Sequence, residues 1–224
     1  MPLALVTGAS RGLGLAIATA LVGRGWALIL DARDDRELTR AAGGLGAVLV
    51  PGDVTDPAHR AQLVAAVAAH GRLDLLVNNA SHLGPGLRRL ADYPLDALRR
   101  VLEVDVLAPL AVAQALLPAL RDGGVVIDVS SDAAVVPYAG WGGYGAAKAA
   151  LDQLSAVLAV EEPTVRVYAF DPGDMRTAMH QQAFPGEDIS DRPLPESVVP
   201  ALLRLLDERP PSGRLRAADL QPTP

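Results

Sequence analysis

No cysteine occurs anywhere in the 224 residues, and lysine occurs once. The first absence excludes disulfides and thiolate metal sites. The four histidines, His59, His70, His82 and His180, have no ligand spacing that would substitute for them, so no metal is expected. An excess of positive charge is lacking too. The 26 acids outnumber the 20 basic residues, which fall singly or in pairs, so neither a nucleic acid nor an anionic membrane is an expected partner. No 18-residue apolar run is free of charge or turn residues, and the opening MPLALVTGAS enters a strand pattern without a charged leader region. A soluble, cytoplasmic protein is the expectation.

The near-absence of lysine makes its one occurrence informative. The 20 basic residues divide into 19 arginines and Lys148, which stands four residues after Tyr144 in YGAAK. A GC-rich coding bias accounts for the scarcity and not for the survivor. On a helix, residues four apart share a face, so a helix beginning near Gly142 would point phenol and ammonium together into a cleft. An unperturbed tyrosine, with a pKa near ~10, is a poor proton carrier at neutral pH, and a fixed cation beside it favours the phenolate. An ammonium can do this while also donating to sugar hydroxyls, whereas arginine's rigid fork has a different reach.

Half of the residues are hydrophobic, and the length fits a single domain, 1–224, with a sizeable core. Short apolar runs at 3–7, 27–31, 47–51, 73–78, 125–130 and 165–170 alternate with longer helix-compatible stretches. This pattern predicts an α/β fold: right-handed βαβ units forming a doubly wound parallel sheet, flanked by helices on both faces as a three-layer sandwich. Long helices are expected over about 96–120 and 143–160, and a last one over 196–207. Residues 178–195 read as a loop or short helical excursion beside the substrate. Ligands of such sheets bind beyond the carboxyl ends of the strands.

Directly after the first run comes TGASRGLG, Thr7 to Gly14, opening into a helical pattern. Gly8 can make the tight turn, Gly12 can admit a pyrophosphate close to the backbone, and Gly14 can let helix and strand pack closely. The helix N-terminus then offers unpaired N–H groups to phosphate. With NNA at 78–80, YGAAK at 144–148 and DPGDMRT at 171–177, this turn resembles the motif set of the short-chain dehydrogenase/reductases: TGxxxGxG, NNAG, YxxxK and PGxxxT, in that order along essentially the whole chain.

The resemblance implies a Rossmann-like fold and reversible hydride transfer between a nicotinamide cofactor and a carbonyl or secondary alcohol. Tyr144 would be the general acid/base and Lys148 its partner. Ser131, at the family's interval of 13 residues before the tyrosine, would polarise the carbonyl, leaving Ser130 as a strand-end hydrogen-bonding residue. Ser10, Arg11, Leu13 and the three glycines would hold the phosphates, Asp53 and Val54 the adenine, and Asn79 and Ala80 the middle of the cofactor. Pro172, Gly173 and Thr177 would hold the nicotinamide end.

At the end of the second run, the usual acidic position falls on Ala32 with Arg33 next. Arg33 and Arg11 can together accept a 2′-phosphate, so NADP(H) is expected over NAD(H). A register one residue earlier would bring Asp31 to the ribose and reverse that preference. Two departures stand out. Asp105 replaces the asparagine usual in VNxxxP, and either acts as acceptor in the proton path beside Lys148 or is a solvated or structurally bonded aspartate. Ser81 replaces glycine, either adding a side chain near the nicotinamide or serving as a neutral turn substitution.

His82, Tyr138, Trp141, Met179, His180 and Phe184 fall in segments expected around a partly aromatic substrate pocket. The family habit predicts a homodimer or homotetramer through the two long helices, with Ala149, Ala150, Leu154 and Leu158 on a candidate face. A catalytically idle NADP-binding sensor, or a lyase or epimerase that regenerates its cofactor, are the rival readings.

Overall fold

The computed structural model describes residues 1–220, excepting the side chains of residues 121 and 122. Seven parallel strands form one sheet in the order β3-β2-β1-β4-β5-β6-β7. They are β1 (Leu3–Val6), β2 (Ala27–Ala32), β3 (Val48–Pro51), β4 (Leu73–Asn78), β5 (Leu120–Val129), β6 (Arg166–Asp171) and β7 (Gly213–Arg216). The helices are α1 (Gly12–Gly23), α2 (Asp35–Ala42), α3 (Pro57–His70), α4 (Leu95–Leu102), α5 (Ala108–Leu116), α6 (Gly142–Glu161), α7 (Ala178–Ala183) and α8 (Val199–Glu208).

Why the strands read as continuous apolar runs is plain from the two cores. Successive side chains point to opposite faces, and both faces are covered. Val6, Leu28, Leu30, Val77 and Ile127 pack with Ile17 and Leu21 of α1 and Leu202 and Leu205 of α8. Leu5, Ile29, Leu76 and Val126 pack on the other side with Leu63 and Val67 of α3 and Val112 and Leu116 of α5. Val6 sits in register with Leu30 on one side and Val77 on the other, which places β1 at the point where the strand order reverses. The crevice beyond that switch point is where such sheets take ligands.

Three expectations need correcting. The stretch GRLR forms β7, paired from Tyr168↔Gly213 to Asp171↔Arg216, although it has no apolar run to announce it. The helix expected over 96–120 is broken into α4, a π-helical turn at Glu103–Leu107, and α5. Pro109 has no N–H to offer the Asp105 carbonyl four residues back, and its ring crowds that carbonyl, so the helical ladder must loosen there. The last helix, expected over 196–207, is α8 and begins at Val199 after a 3₁₀ turn at Pro195–Ser197, while α7 supplies the short helical form of the 178–195 excursion. By length and composition Leu95–Ala119 could span a membrane, yet half of its apolar window is buried in the fold.

Candidate active site

Beyond the carboxyl ends of β1, β2, β4 and β5 lies a cleft of about 1150 Å³, large enough for a dinucleotide and a small substrate. Its floor at one end is the glycine-rich turn. Gly8 has φ +65°, and a Cβ there would come within 2.9 Å of the Ala80 backbone. Gly14 lies beneath the turn and outside the cleft, and a Cβ on it would meet the Gly8 carbonyl at 2.5 Å, so its contribution is helix-on-strand packing. Asn79 ties the turn from below, its Nδ2 donating to the carbonyls of Thr7 at 2.9 Å and Gly8 at 3.1 Å.

Ser10, Arg11, Gly12 and Leu13 line the cleft where α1 begins. Arg11, at the N-cap, offers no side-chain cap, and the first turn of α1 contains no acid. The N–H groups and dipole of that helix end are therefore left to whatever occupies the cleft, which suits a pyrophosphate. Ser130, expected to hydrogen-bond at the strand end, has its Oγ buried on the cleft wall with no hydrogen-bond partner among the described residues.

Arg33 lines the cleft just past β2 and is exposed. Asp31, the alternative at that position, is 1% exposed, and its Oδ1 lies 2.7 Å from His59 Nε2. Burial pushes the Asp31 carboxyl up, against the pull of His59 and a Gly8 backbone hydrogen bond. Asp31 thus lines the cleft beside Arg33 with its carboxylate already engaged by His59. Asp53 and Val54 also line the cleft. Arg100 at 2.7 Å and Thr55 occupy the Asp53 carboxylate and hold its pKa at about 2, although burial opposes them.

Sequence reasoning missed Glu37. It accepts from Ser10 Oγ at 3.2 Å and pairs with Arg11 Nη1 at 3.4 Å, so an acid stands among the groups expected to receive a 2′-phosphate. The helical placement of Glu37 in α2 could not reveal this contact with the turn after β1.

At the other end, α6 begins at Gly142, as the YGAAK reading requires, and turns Tyr144 and Lys148 into the cleft. Lys148 Nζ is 5.5 Å from the Tyr144 ring centroid. It donates to the Val129 carbonyl at 2.8 Å and lies 3.8 Å from Asp105 Oδ2. Both partners of that ion pair are buried, at 2% and 0% side-chain exposure.

The expected acidification of the phenol is not found. Burial above all, and then the Asp105 charge, push Tyr144 well above the ordinary tyrosine range, while hydrogen bonds with Ser81 and Ser131 offset part of the rise. The physical reason is first the enclosure of the phenol and then the Asp105 carboxylate, which lies 3.8 Å from Lys148 and adds negative charge nearby. Asp105 does not itself line the cleft. Burial pushes its own pKa up, against Lys148, the Ser81 hydroxyl and the His82 backbone N–H.

Ser131 lines the cleft just past β5, its Oγ donating to Asp132 at 3.0 Å and accepting from the Ala133 N–H at 3.2 Å. Arg214 of β7, also missed, donates to the Ser131 carbonyl at 2.9 Å and pairs with Asp152 and Asp171, so the unanticipated strand fixes the serine's backbone. Thr177 caps α7 by accepting from the His180 N–H at 3.2 Å, and with Pro172 and Gly173 it faces the cleft. His82, Trp141, Met179 and His180 line the same end. Tyr138 does not: its hydroxyl donates outward to Asp132 at 2.8 Å, and the residue is 44% exposed. Phe184 stands behind the wall, 5.0 Å from the His180 ring and 6.0 Å from Trp141.

With the cleft, turn and Tyr–Lys pair in place, comparison with known proteins decides the family. Residues 2–188 match the family model described as short chain dehydrogenase. The chain belongs to the short-chain dehydrogenase family. Sepiapterin reductase of Rattus norvegicus is 36% identical over 201 residues, covering 80% of this chain and 76% of that protein. Dehydrogenase/reductase SDR family member 4 of Bos taurus is 36% identical over 188 residues, 78% of this chain and 66% of that protein. A solved short chain dehydrogenase from Escherichia coli CFT073, complexed with NADPH, superposes with a TM-score of 0.91 at 31% identity, covering 99% of this chain and 97% of that one. This short-chain dehydrogenase is thus an oxidoreductase of the α/β class, and the seven-stranded parallel sheet is its family's fold.

Proposed function

We propose that this short-chain dehydrogenase transfers hydride between NADP(H) and a carbonyl or secondary alcohol, with Tyr144 as general acid/base. The observation that carries the reading is the convergence of Tyr144, Ser131 and Lys148 at one end of a cleft whose other end presents an uncapped helix N-terminus, Arg11 and Arg33.

The bound nicotinamide supplies the hydride. On the protein side, Tyr144 gives its proton to the oxygen of the reduced carbonyl, and Ser131 donates a hydrogen bond to the same oxygen as charge develops there. Lys148, fixed by the Val129 carbonyl, directs its remaining protons toward the ribose and holds positive charge near the phenol. Thr177 is the group for the carboxamide. Arg33 and Arg11 favour the 2′-phosphate of NADP(H); Arg11 must exchange Glu37 for it. The NADPH held by the Escherichia coli relative supports this preference.

Trp141, Met179 and the His180 ring give the substrate end an apolar and aromatic lining suited to a small or medium carbonyl compound. A dimer or tetramer through α4 and α5 on one side and α6 on the other belongs to the same reading. Leu154 and Leu158 are partly consumed by packing inside the chain, whereas Val157 and Val160 stay exposed at 41% and 81%.

A panel of ketones and aldehydes, followed by NADPH absorbance, tests the activity. Net NADPH consumption that depends on substrate is expected. Tight NADPH binding without turnover across the panel would point to a sensor, and product formation without net consumption to a lyase or epimerase.

A further inference from the structure

The two positions at which this chain departs from its family's pattern meet each other. Ser81, in the loop after β4, donates from Oγ to Asp105 Oδ2 at 2.8 Å, and the His82 N–H occupies Oδ1 at 2.7 Å. Ser81 also lines the cleft beside Tyr144, and its hydroxyl holds the phenol's pKa down. Asp105 is fully buried in the π-helical turn, so the serine hydroxyl is its hydrogen-bonded connection to the cleft. Apart from that hydroxyl, the groups facing Asp105 are the Lys148 ammonium, the His82 imidazole and the phenols of Tyr144 and Tyr93.

A hydroxyl has one proton to give. When Asp105 is ionised, that proton goes to the carboxylate, and Ser81 can only accept from Tyr144. When Asp105 carries a proton, it can donate to Ser81, and Ser81 can then donate to the tyrosine oxygen.

We propose that Ser81 carries a proton between Tyr144 and Asp105, so that the buried carboxyl serves as the proton store for the reaction at the phenol. The inference rests on the function proposed above. In the reductive direction the Tyr144 O–H bond breaks and its proton passes to the product oxygen. The Ser81 O–H bond then breaks to restore the phenol, and the proton of Asp105 restores the serine. Asp105 is left ionised against Lys148. In the oxidative direction the same proton returns: the phenol gives its proton through Ser81 to the Asp105 carboxylate, and the resulting phenolate takes one from the substrate alcohol. Each step moves one proton between two oxygens, and before the next reductive turnover Asp105 regains its proton from solvent by way of the cleft and Ser81.

Ser81 is a positioning residue in this scheme, and its test needs a readout that simple packing would not move. The carboxylic C=O band of Asp105, assigned by its loss in Asp105→Asn, can be titrated by difference infrared spectroscopy without any turnover. Tyr144→Phe is expected to shift the Asp105 midpoint when Ser81 is present and to leave it unmoved in the Ser81→Ala background. In steady-state assays, Ser81→Ala is expected to lower kcat by about tenfold with an altered pH profile and an unchanged KM for NADPH, and Ser81→Thr to restore both. Equal infrared shifts in the two backgrounds, or a Ser81→Ala enzyme with the wild-type pH profile, would overturn the proposal. Failure of the wild type to turn over any carbonyl compound would instead remove the proposed activity, while the infrared coupling still decides the role of Ser81.

Discussion

Arg33 and Glu37 show how individual charges set the cofactor end. Arg33 is exposed on the cleft and has no ion-pair partner among the described residues, whereas Arg11 already shares Glu37 with Ser10. A guanidinium free to close on phosphate gives a charge-assisted contact that an alanine cannot replace. Arg33→Ala is therefore expected to lower kcat/KM for NADPH by about tenfold while leaving that for NADH nearly unchanged, roughly the loss of one such hydrogen bond from a partly solvated site. Equal losses with both cofactors would place Arg33 outside the 2′-phosphate site. Asp53 supplies a different check at this scale. Its carboxyl is held at about 2 against an ordinary 3.8, so the folded state favours its ionised form. Its contribution to stability is present above pH 3.8 and lost as the pH falls through about 2. The gap in Tm between wild type and Asp53→Asn should accordingly be open above that range and close below it.

Among elements, the turn from β1 into α1 is the one whose geometry leaves least room. A methyl group at position 14 would meet the Gly8 carbonyl at 2.5 Å and Asn79 Nδ2 at 2.6 Å, so Gly14→Ala must push the helix away from the strand. The expected cost is about 1–3 kcal/mol, which for a chain of this size lowers Tm by about 2–4 °C per kcal/mol. Weaker NADPH binding should accompany it, and a thermal melt with a binding titration checks both. This turn and α6 were legible in the sequence because their signals are local: glycines at fixed offsets, and Tyr144 and Lys148 one helical turn apart. β7 was not legible, since Gly213 to Arg216 owe their strand conformation to pairing with β6 and to Arg214 reaching Asp171 and Asp152. The break in the helix at 103–107 was present as Pro109, but a proline near an apolar helix start reads equally as an N-terminal residue. The raised Tyr144 phenol was hidden for a related reason. The sequence places Lys148 beside Tyr144, whereas only the fold buries the phenol and brings the Asp105 charge near it.

In the molecule as a whole, the sheet's reversal at β1 and β4 opens one long cleft, and the chain distributes its chemistry along it. Arginines and an open helix end gather at one extremity, and buried ionisable groups at the other. Bringing Lys148, Asp105 and Tyr144 together inside a protein costs desolvation energy, which mutual pairing offsets only in part. Such an arrangement is a reason to look for chemistry at the phenol. The central claim is that Tyr144 moves the proton, and a single-turnover and steady-state comparison of wild type with Tyr144→Phe tests it most directly. The account predicts a loss in kcat of at least about 10²-fold with NADPH affinity retained. Undiminished turnover by Tyr144→Phe would contradict it.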